Sequence, residues 1–149
     1  MKDLISTTSL NILMIQETKM EEACFLQLAP FFWKFFEGLA VSARGASGGI
    51  GSLWRKDGFN LIHSVSNTHW ILSILLHKDS SIQLSLFNIY VPILYMEKKS
   101  WWKSIQDCLS SQNINNIILV GDLNITLRFK DKKGVQFLEI HFAKRWRIS

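Results

Sequence analysis

A short apolar run that ends on a carboxylate occurs twice in this chain, and that feature constrains its fold more than any other. Ile117-Ile118-Leu119-Val120 leads into Gly121-Asp122-Leu123-Asn124, and Ile12-Leu13-Met14-Ile15 leads into Gln16-Glu17. Four consecutive apolar residues bounded by turn formers are too short for a helix and read as buried strands. Side chains alternate along an extended segment, so Asp122 and Asn124 point the same way while Leu123 points into the core. One is a charged base or metal ligand, the other a neutral hydrogen-bonding partner. Two strand ends that each deliver a carboxylate suggest one shared site.

The rest of the chain supplies the layers around such a site. Lys2 to Ser9 reads as the end of a helix, Asn11 to Gln16 as a strand, and Met20 to Phe36 as an uneven helical and loop region interrupted by Pro30. Gly49 to Trp54, Phe59 to Ser66, His69 to Leu76 and Ile82 to Tyr90 are short segments separated by turn signals, the pattern of an antiparallel meander. From Glu97 to Leu109 the period changes: Trp101, Ile105 and Leu109 recur every fourth residue and make one apolar helical face. Asn115 to Val120 follows as another buried strand, which completes an α/β layered pattern.

Composition narrows the class without naming a function. With 149 residues, 48% of them hydrophobic, the chain can bury one real core and is too short for two domains. Cys24 and Cys108 form no disulfide framework and share no metal-ligand spacing with the four histidines, so both read as packed thiols. The chain shows neither a secretory signal nor an apolar run long enough to span a membrane, and an intracellular protein with no membrane partner is expected. The formal net charge of +5, carried by Lys98-Lys99, Lys130 to Lys133 and Lys144, Arg145 and Arg147, can attract a polyanion or simply solvate a face.

Taken in order, Ile15-Gln16-Glu17-Thr18, Asn88-Ile89-Tyr90-Val91-Pro92 and Gly121-Asp122-Leu123-Asn124 make the chain resemble the endonuclease/exonuclease/phosphatase superfamily, the DNase-I-like metal-dependent phosphodiesterases. Gln16-Glu17-Thr18-Lys19, Gly45-Ala46-Ser47-Gly48-Gly49-Ile50, Leu53-Trp54 and Lys132-Lys133-Gly134 look most like the endonuclease domain of plant non-LTR (LINE-type) retrotransposons. The resemblance covers residues 1–134 and leaves 135–149 as a basic tail outside it. It implies a partial four-layer α/β sandwich, with the first sheet and the start of the second only.

The same resemblance implies the chemistry: attack of water on a phosphodiester of DNA, with Mg²⁺ or Mn²⁺ as the only cofactor and no small-molecule cofactor. Glu17 would hold the metal, Asp122 would orient or deprotonate the water, and Asn124 and Tyr90 would donate to phosphate oxygens. Lys130, Lys132 and Lys133 would contact nucleic acid, and a working enzyme of this kind would reside in the nucleus. Duller readings exist for each residue: a polar strand terminus, a core aromatic beside Pro92, an ordinary Asp/Asn turn.

Competing motifs fare worse. Gly45-Ala46-Ser47-Gly48-Gly49 satisfies the G-x-S-x-G pattern, but a nucleophile elbow needs a helix after the serine, and Gly49-Ile50-Gly51-Ser52-Leu53-Trp54 is poor helix material. Its glycines read as a turn into a strand. The stretch lacks the lysine of a phosphate-binding loop. Asn124-Ile125-Thr126 is a glycosylation sequon only if the chain is secreted.

Two family elements have no match here: an Asn-bearing first strand, and a closing Ser-Asp-His element that supplies a further carboxylate and a histidine. His141 follows Ile140, not an aspartate, and is no substitute. The expectation is a domain truncated at both ends and inactive alone, with uncovered strand edges that invite self-association. The alternative is a non-enzymatic basic fragment that binds nucleic acid weakly or has no function.

Overall fold

The computed structural model describes residues 10–45, 47–112, 114 and 117–125. Among these residues seven strands and two helices follow in the order β1 (Ile12–Gln16), α1 (Glu22–Phe32), β2 (Phe36–Arg44), β3 (Ser47–Arg55), β4 (Phe59–Asn67), β5 (Trp70–His77), β6 (Gln83–Tyr90), α2 (Tyr95–Ser111) and β7 (Ile117–Asp122). They form two sheets, β1-β3-β2 and β4-β5-β6-β7, with every pairing antiparallel except the parallel β6–β7 pair. The expected helix over Lys2 to Ser9, the three lysines Lys130, Lys132 and Lys133, His141 and the 135–149 tail lie outside the described residues.

Alternation along the strands explains the layering. On β3, Leu53 faces α1 in a cluster with Phe25, Ala29, Trp33 and Ala40, while Trp54 faces the other sheet and meets Phe59, Leu75 and Leu86. On β6, Phe87 and Ile89 pack with Trp101, Ile105 and Cys108 of α2, while Leu86 and Tyr90 face the first sheet, Tyr90 beside Ile50 and Ile71. A strand covered on both faces is buried at consecutive positions, which is how β3, β5 and β6 read, with Ser52, Ser73, Ser85 and Asn88 as buried polar residues among the apolar ones. The layers are therefore α1, first sheet, second sheet, α2: the DNase-I-like four-layer sandwich in part.

Several expectations change. β3 does not join the meander; it inserts between β1 and β2, so the meander is β4-β5-β6 alone. The region from Met20 to Phe36 holds one helix that runs through Pro30 near its C-terminal end, where the ring costs the bond that this nitrogen cannot donate and the helix stops two residues later. β2 is a strand that periodicity does not reveal, since Phe36-Glu37-Gly38-Leu39-Ala40-Val41-Ser42-Ala43-Arg44 mixes small, polar and apolar residues. β7 is not buried: among the described residues it is the last strand of its sheet, and Ile117, Ile118, Leu119 and Val120 are each 41–46% exposed. Leu123 is likewise exposed rather than in the core, and Cys24 is an exposed thiol, whereas Cys108 is packed. Among the described residues no helix is long and apolar enough to cross a membrane.

Candidate active site

Three strands run out at one end of the sandwich, and each delivers a residue singled out by the sequence. β1 ends at Gln16, so Glu17 is the first residue of the loop that follows; β6 ends at Tyr90; β7 ends at Asp122, directly opposite Tyr90 in the parallel register. The Tyr90 hydroxyl donates to Glu17 Oε1 at 2.7 Å, across the gap between the two sheets. Val91 N–H donates to the Asp122 carbonyl at 2.9 Å, which extends the β6–β7 ladder by one bond past the strand ends. Asn124 turns back on this pair: its backbone N–H donates to Asp122 Oδ1 at 2.8 Å and its amide donates to the Val91 carbonyl at 2.6 Å. Glu17, Tyr90, Asp122 and Asn124 thus lie together, within one layer of side chains.

The backbone at this end is unusual in a way that fits a site. Glu17, Lys19 and Asn124 have φ of +52°, +54° and +45°, the left-handed region that non-glycine residues seldom occupy. Such conformations persist only where surrounding contacts over-determine them, and they concentrate at functional positions. Here the contacts are visible. Thr18 N–H and Lys19 N–H donate to the carbonyls of Gly49 and Gly48 at 3.1 and 3.0 Å, which pins the loop after β1 onto the start of β3. Gly49, at φ +82°, has to be glycine, because a Cβ there would overlap the Thr18 hydroxyl. Gly48 and Gly49 therefore do more than turn the chain into a strand: they seat the Glu17 loop. Ser47 opens β3 instead of preceding a helix.

Asn88 belongs to this end of the sandwich as well, although the sequence alone assigns it no task. It is fully buried between Leu86 and Tyr90 on the face of β6 that meets the first sheet. Its amide donates to the Gly51 carbonyl at 2.8 Å and to Ser52 Oγ at 3.1 Å, and its Oδ1 accepts from the Gln16 side chain at 2.5 Å. Gln16 precedes Glu17, and Asn88 lies two before Tyr90 on the same face, so this clasp sets the spacing across which Tyr90 reaches Glu17. A lone Asn in an apolar strand is the signal that could have found it, because a buried amide must find partners in the opposite layer.

Tyr90 carries the electrostatic record of the cluster. Its phenol is held above its ordinary value of about 10, chiefly because it donates to Glu17; burial, the Glu17 charge and the Asp122 charge push the same way, while a hydrogen bond from Asn124 pulls it down. A raised folded value means that this interaction stabilises the fold fully below the ordinary phenol value and is lost as pH rises through the raised one. In a Tyr95→Phe background, where Tyr90 is the only tyrosine, ultraviolet titration is expected to show a late ionisation that Glu17→Gln brings forward; an unchanged midpoint would contradict the pairing.

The carboxylates suit a hard divalent cation supplied largely with outside oxygens. Among the described residues no three His, Cys, Asp or Glu gather into a protein-only metal cage. Glu17 keeps its second oxygen partly exposed beside Lys19, 3.9 Å from the ammonium. One carboxylate with water and substrate phosphate is an ordinary Mg²⁺ arrangement, and Glu17 is a residue that could offer such an oxygen once Tyr90 or Lys19 gives it up.

Comparison by structure supports the fold. The chain is similar to an endonuclease/exonuclease/phosphatase family protein from Bacteroides thetaiotaomicron (TM-score 0.63, 14% identity, 83% of this chain and 52% of that one). It is similar to the Xenopus laevis APE2 catalytic domain (TM-score 0.64, 15% identity, 85% and 54%) and to the human Nocturnin catalytic domain with bound sulfate (TM-score 0.57, 16% identity, 84% and 56%). The chain spans about half the length of each of these solved chains. No sequence-family model and no curated protein matches it.

Proposed function

We propose that these residues carry one half of a divalent-metal-dependent phosphodiesterase site, of the kind that plant LINE-type retrotransposons use to nick target DNA, and that the 149-residue chain does not cleave DNA alone. The observation that carries this reading is the contact between Tyr90 and Glu17, with Asp122 and Asn124 beside it at the ends of three strands. Mg²⁺ or Mn²⁺ bound at Glu17 would neutralise charge on the phosphate and on the leaving oxygen.

The chain's own groups have distinct tasks in this scheme. Asp122 gives one oxygen to the Asn124 backbone, which fixes the carboxylate's direction, and its other oxygen can accept a proton from water. Asn124 now spends its amide donors on the Val91 carbonyl and the Tyr90 hydroxyl, and Tyr90 spends its one O–H on Glu17; with a phosphate in place both can turn a donor to its oxygens. A neutral phenol is the form that donates, and Tyr90, raised above an ordinary value already well over physiological pH, is in that form. Removing one such donor costs roughly 10²–10³ in rate, and losing several that act as a unit leaves little beyond background. The 149 residues hold no match for the family's Asn strand or Asp-His element, two further sets of groups of that kind.

Plasmid nicking tests this directly. With Mg²⁺ and supercoiled DNA the chain is expected to match its Glu17→Ala, Asp122→Ala double variant. Joined to a first strand and a Ser-Asp-His half taken from the family, it is expected to nick only while Glu17 and Asp122 remain. Metal-dependent nicking by the 149 residues alone would overturn the inactivity; a joined protein that folds and stays inert would count against the phosphodiesterase reading. The net charge of +5 favours a second reading, a basic fragment that only binds DNA. That reading expects sequence-tolerant binding that weakens steeply with salt and no cleavage in the joined protein. A nuclear location belongs to the first reading.

A further inference from the structure

The turn that carries Asp122 and Asn124 is held at few points. Leu123 and Ile125, on either side of Asn124, are 43% and 55% exposed, so apolar packing does little to seat it. The bond from Asn124 N–H to Asp122 Oδ1 lies within the turn and moves with it. Val91 N–H donates to the Asp122 carbonyl, and the Asn124 amide donates to the Val91 carbonyl and the Tyr90 hydroxyl. These anchors all end on two neighbouring residues of β6, and contacts gathered at one strand end make a hinge about which the turn can swing.

A further anchor comes from a different element. Lys98, in the first turn of α2, donates from Nζ to the Asn124 carbonyl at 2.7 Å. The helix behind it is fixed, because Trp101, Ile105 and Cys108 are buried against Phe87 and Ile89, and Ser104 accepts from the Trp70 indole at 3.0 Å. Lys98 therefore ties the Asn124 backbone to a rigid body outside the β6–β7 pair and stops the swing. Helix stability gives no reason for a lysine at this position. The start of a helix carries partial positive charge, so Glu97 suits the first turn of α2 and a cation does not. Lys98 is also half-buried where its neighbours Glu97 and Lys99 are exposed, so its long side chain gives up rotamer freedom to reach the carbonyl.

From this geometry we infer that Lys98 is a positioning residue for the phosphodiesterase site: it holds the Asn124 carbonyl, so that Asp122 and Asn124 keep their aim when the Asn124 amide turns to a phosphate oxygen. The inference rests on that reading of the site. Once the amide has left Val91 and Tyr90, the bond from Val91 N–H to Asp122 and the bond from Lys98 are what keep the turn in place. The need for Lys98 is thus greatest in the reacting state. An ammonium spent on a carbonyl acts through Asn124 and not as a ligand of the phosphate, and kinetics separate those two roles.

Two variants of the full 149-residue chain test this: Lys98→Met, which keeps the length and removes the donor, and Lys98→Arg, which restores a charged donor. The NMR order parameter of the Asn124 backbone N–H is expected to fall from about 0.85 to below about 0.6 in Lys98→Met and to recover in Lys98→Arg, with α2 unchanged. In the protein joined to the family's first strand and Ser-Asp-His half, Lys98→Met is expected to lower kcat roughly 10–10²-fold at constant KM, because a misplaced group costs rate and not affinity. Lys98→Arg should regain most of that loss. Unchanged Asn124 order in Lys98→Met, an arginine that restores neither quantity, or α2 melting along with the turn would each overturn the inference. So would a raised KM at constant kcat, the mark of a lost phosphate contact. A joined protein that never nicks counts against the phosphodiesterase reading, while the order parameters still decide whether Lys98 holds the turn.

Discussion

Asn88→Ala is expected to cost about 3–5 kcal/mol, the sum of roughly 1 kcal/mol for each lost hydrogen bond and a further penalty for polar groups left unpaired in a dry layer. Four partners lose the amide: the Gly51 carbonyl, the Ser52 hydroxyl, the Gln16 amide and, at 3.5 Å, the Ile15 carbonyl. Asn88 itself is wholly inaccessible to solvent, so water cannot replace the amide without opening the sheets. Single domains are stable by about 5–15 kcal/mol, and one substitution would therefore remove a large part of the total. Gln16→Ala breaks only one of the same bonds, at a less buried position, and should cost about 1 kcal/mol. Urea unfolding of the two variants checks the ranking. An Asn88→Ala midpoint close to wild type would mean that the clasp does not hold the sheets together.

The clasp also shows which parts of the site are legible in the sequence alone. The ends of β1 and β7 are readable because four apolar residues followed by a carboxylate leave few alternatives, and Trp101 and Ile105 mark the buried face of α2. The pairing order is not. β3 and β4 are neighbours in sequence with an obvious turn at Lys56-Asp57-Gly58, yet they belong to different sheets, and nothing local to a turn says whether the chain pairs back or crosses over. β2 escapes because Gly38, Ala40, Ser42 and Ala43 have weak strand preference alone; Gly38 is needed there, since a Cβ would run into Leu53 on β3. The apolar run of β7 is legible as a strand but not as an exposed one, because burial belongs to the neighbour on the far side. The role of Asn88 depends on β3 lying across from it, a long-range fact that a motif of five residues cannot contain.

The same dependence on a neighbouring strand explains the glycine of Gly-Asp-x-Asn, for which the motif itself gives no reason. Gly121 pairs with Ile89 in the parallel ladder at φ +148°, and a Cβ there would overlap the Ile89 carbonyl oxygen. That oxygen is backbone in a buried strand and cannot swing aside as a flexible side chain could. Gly121→Ala is expected to cost about 1–3 kcal/mol for the backbone conformation alone, with the overlap adding to it. The cheapest relief is for β7 to lift off β6, and that movement takes Asp122 and Asn124 with it. The bond from Val91 N–H to the Asp122 carbonyl should then open, and amide exchange at Val91 should accelerate while the β4–β5 pairing keeps its protection. Gly58→Ala is the control, since a Cβ at Gly58 meets nothing nearer than 3.8 Å, and it should stay within about 0.5 kcal/mol of wild type. If Gly121→Ala unfolds like Gly58→Ala and leaves Val91 protected, close approach of the two strands is not what that glycine provides, and the placement of Asp122 beside Tyr90 must depend on other contacts.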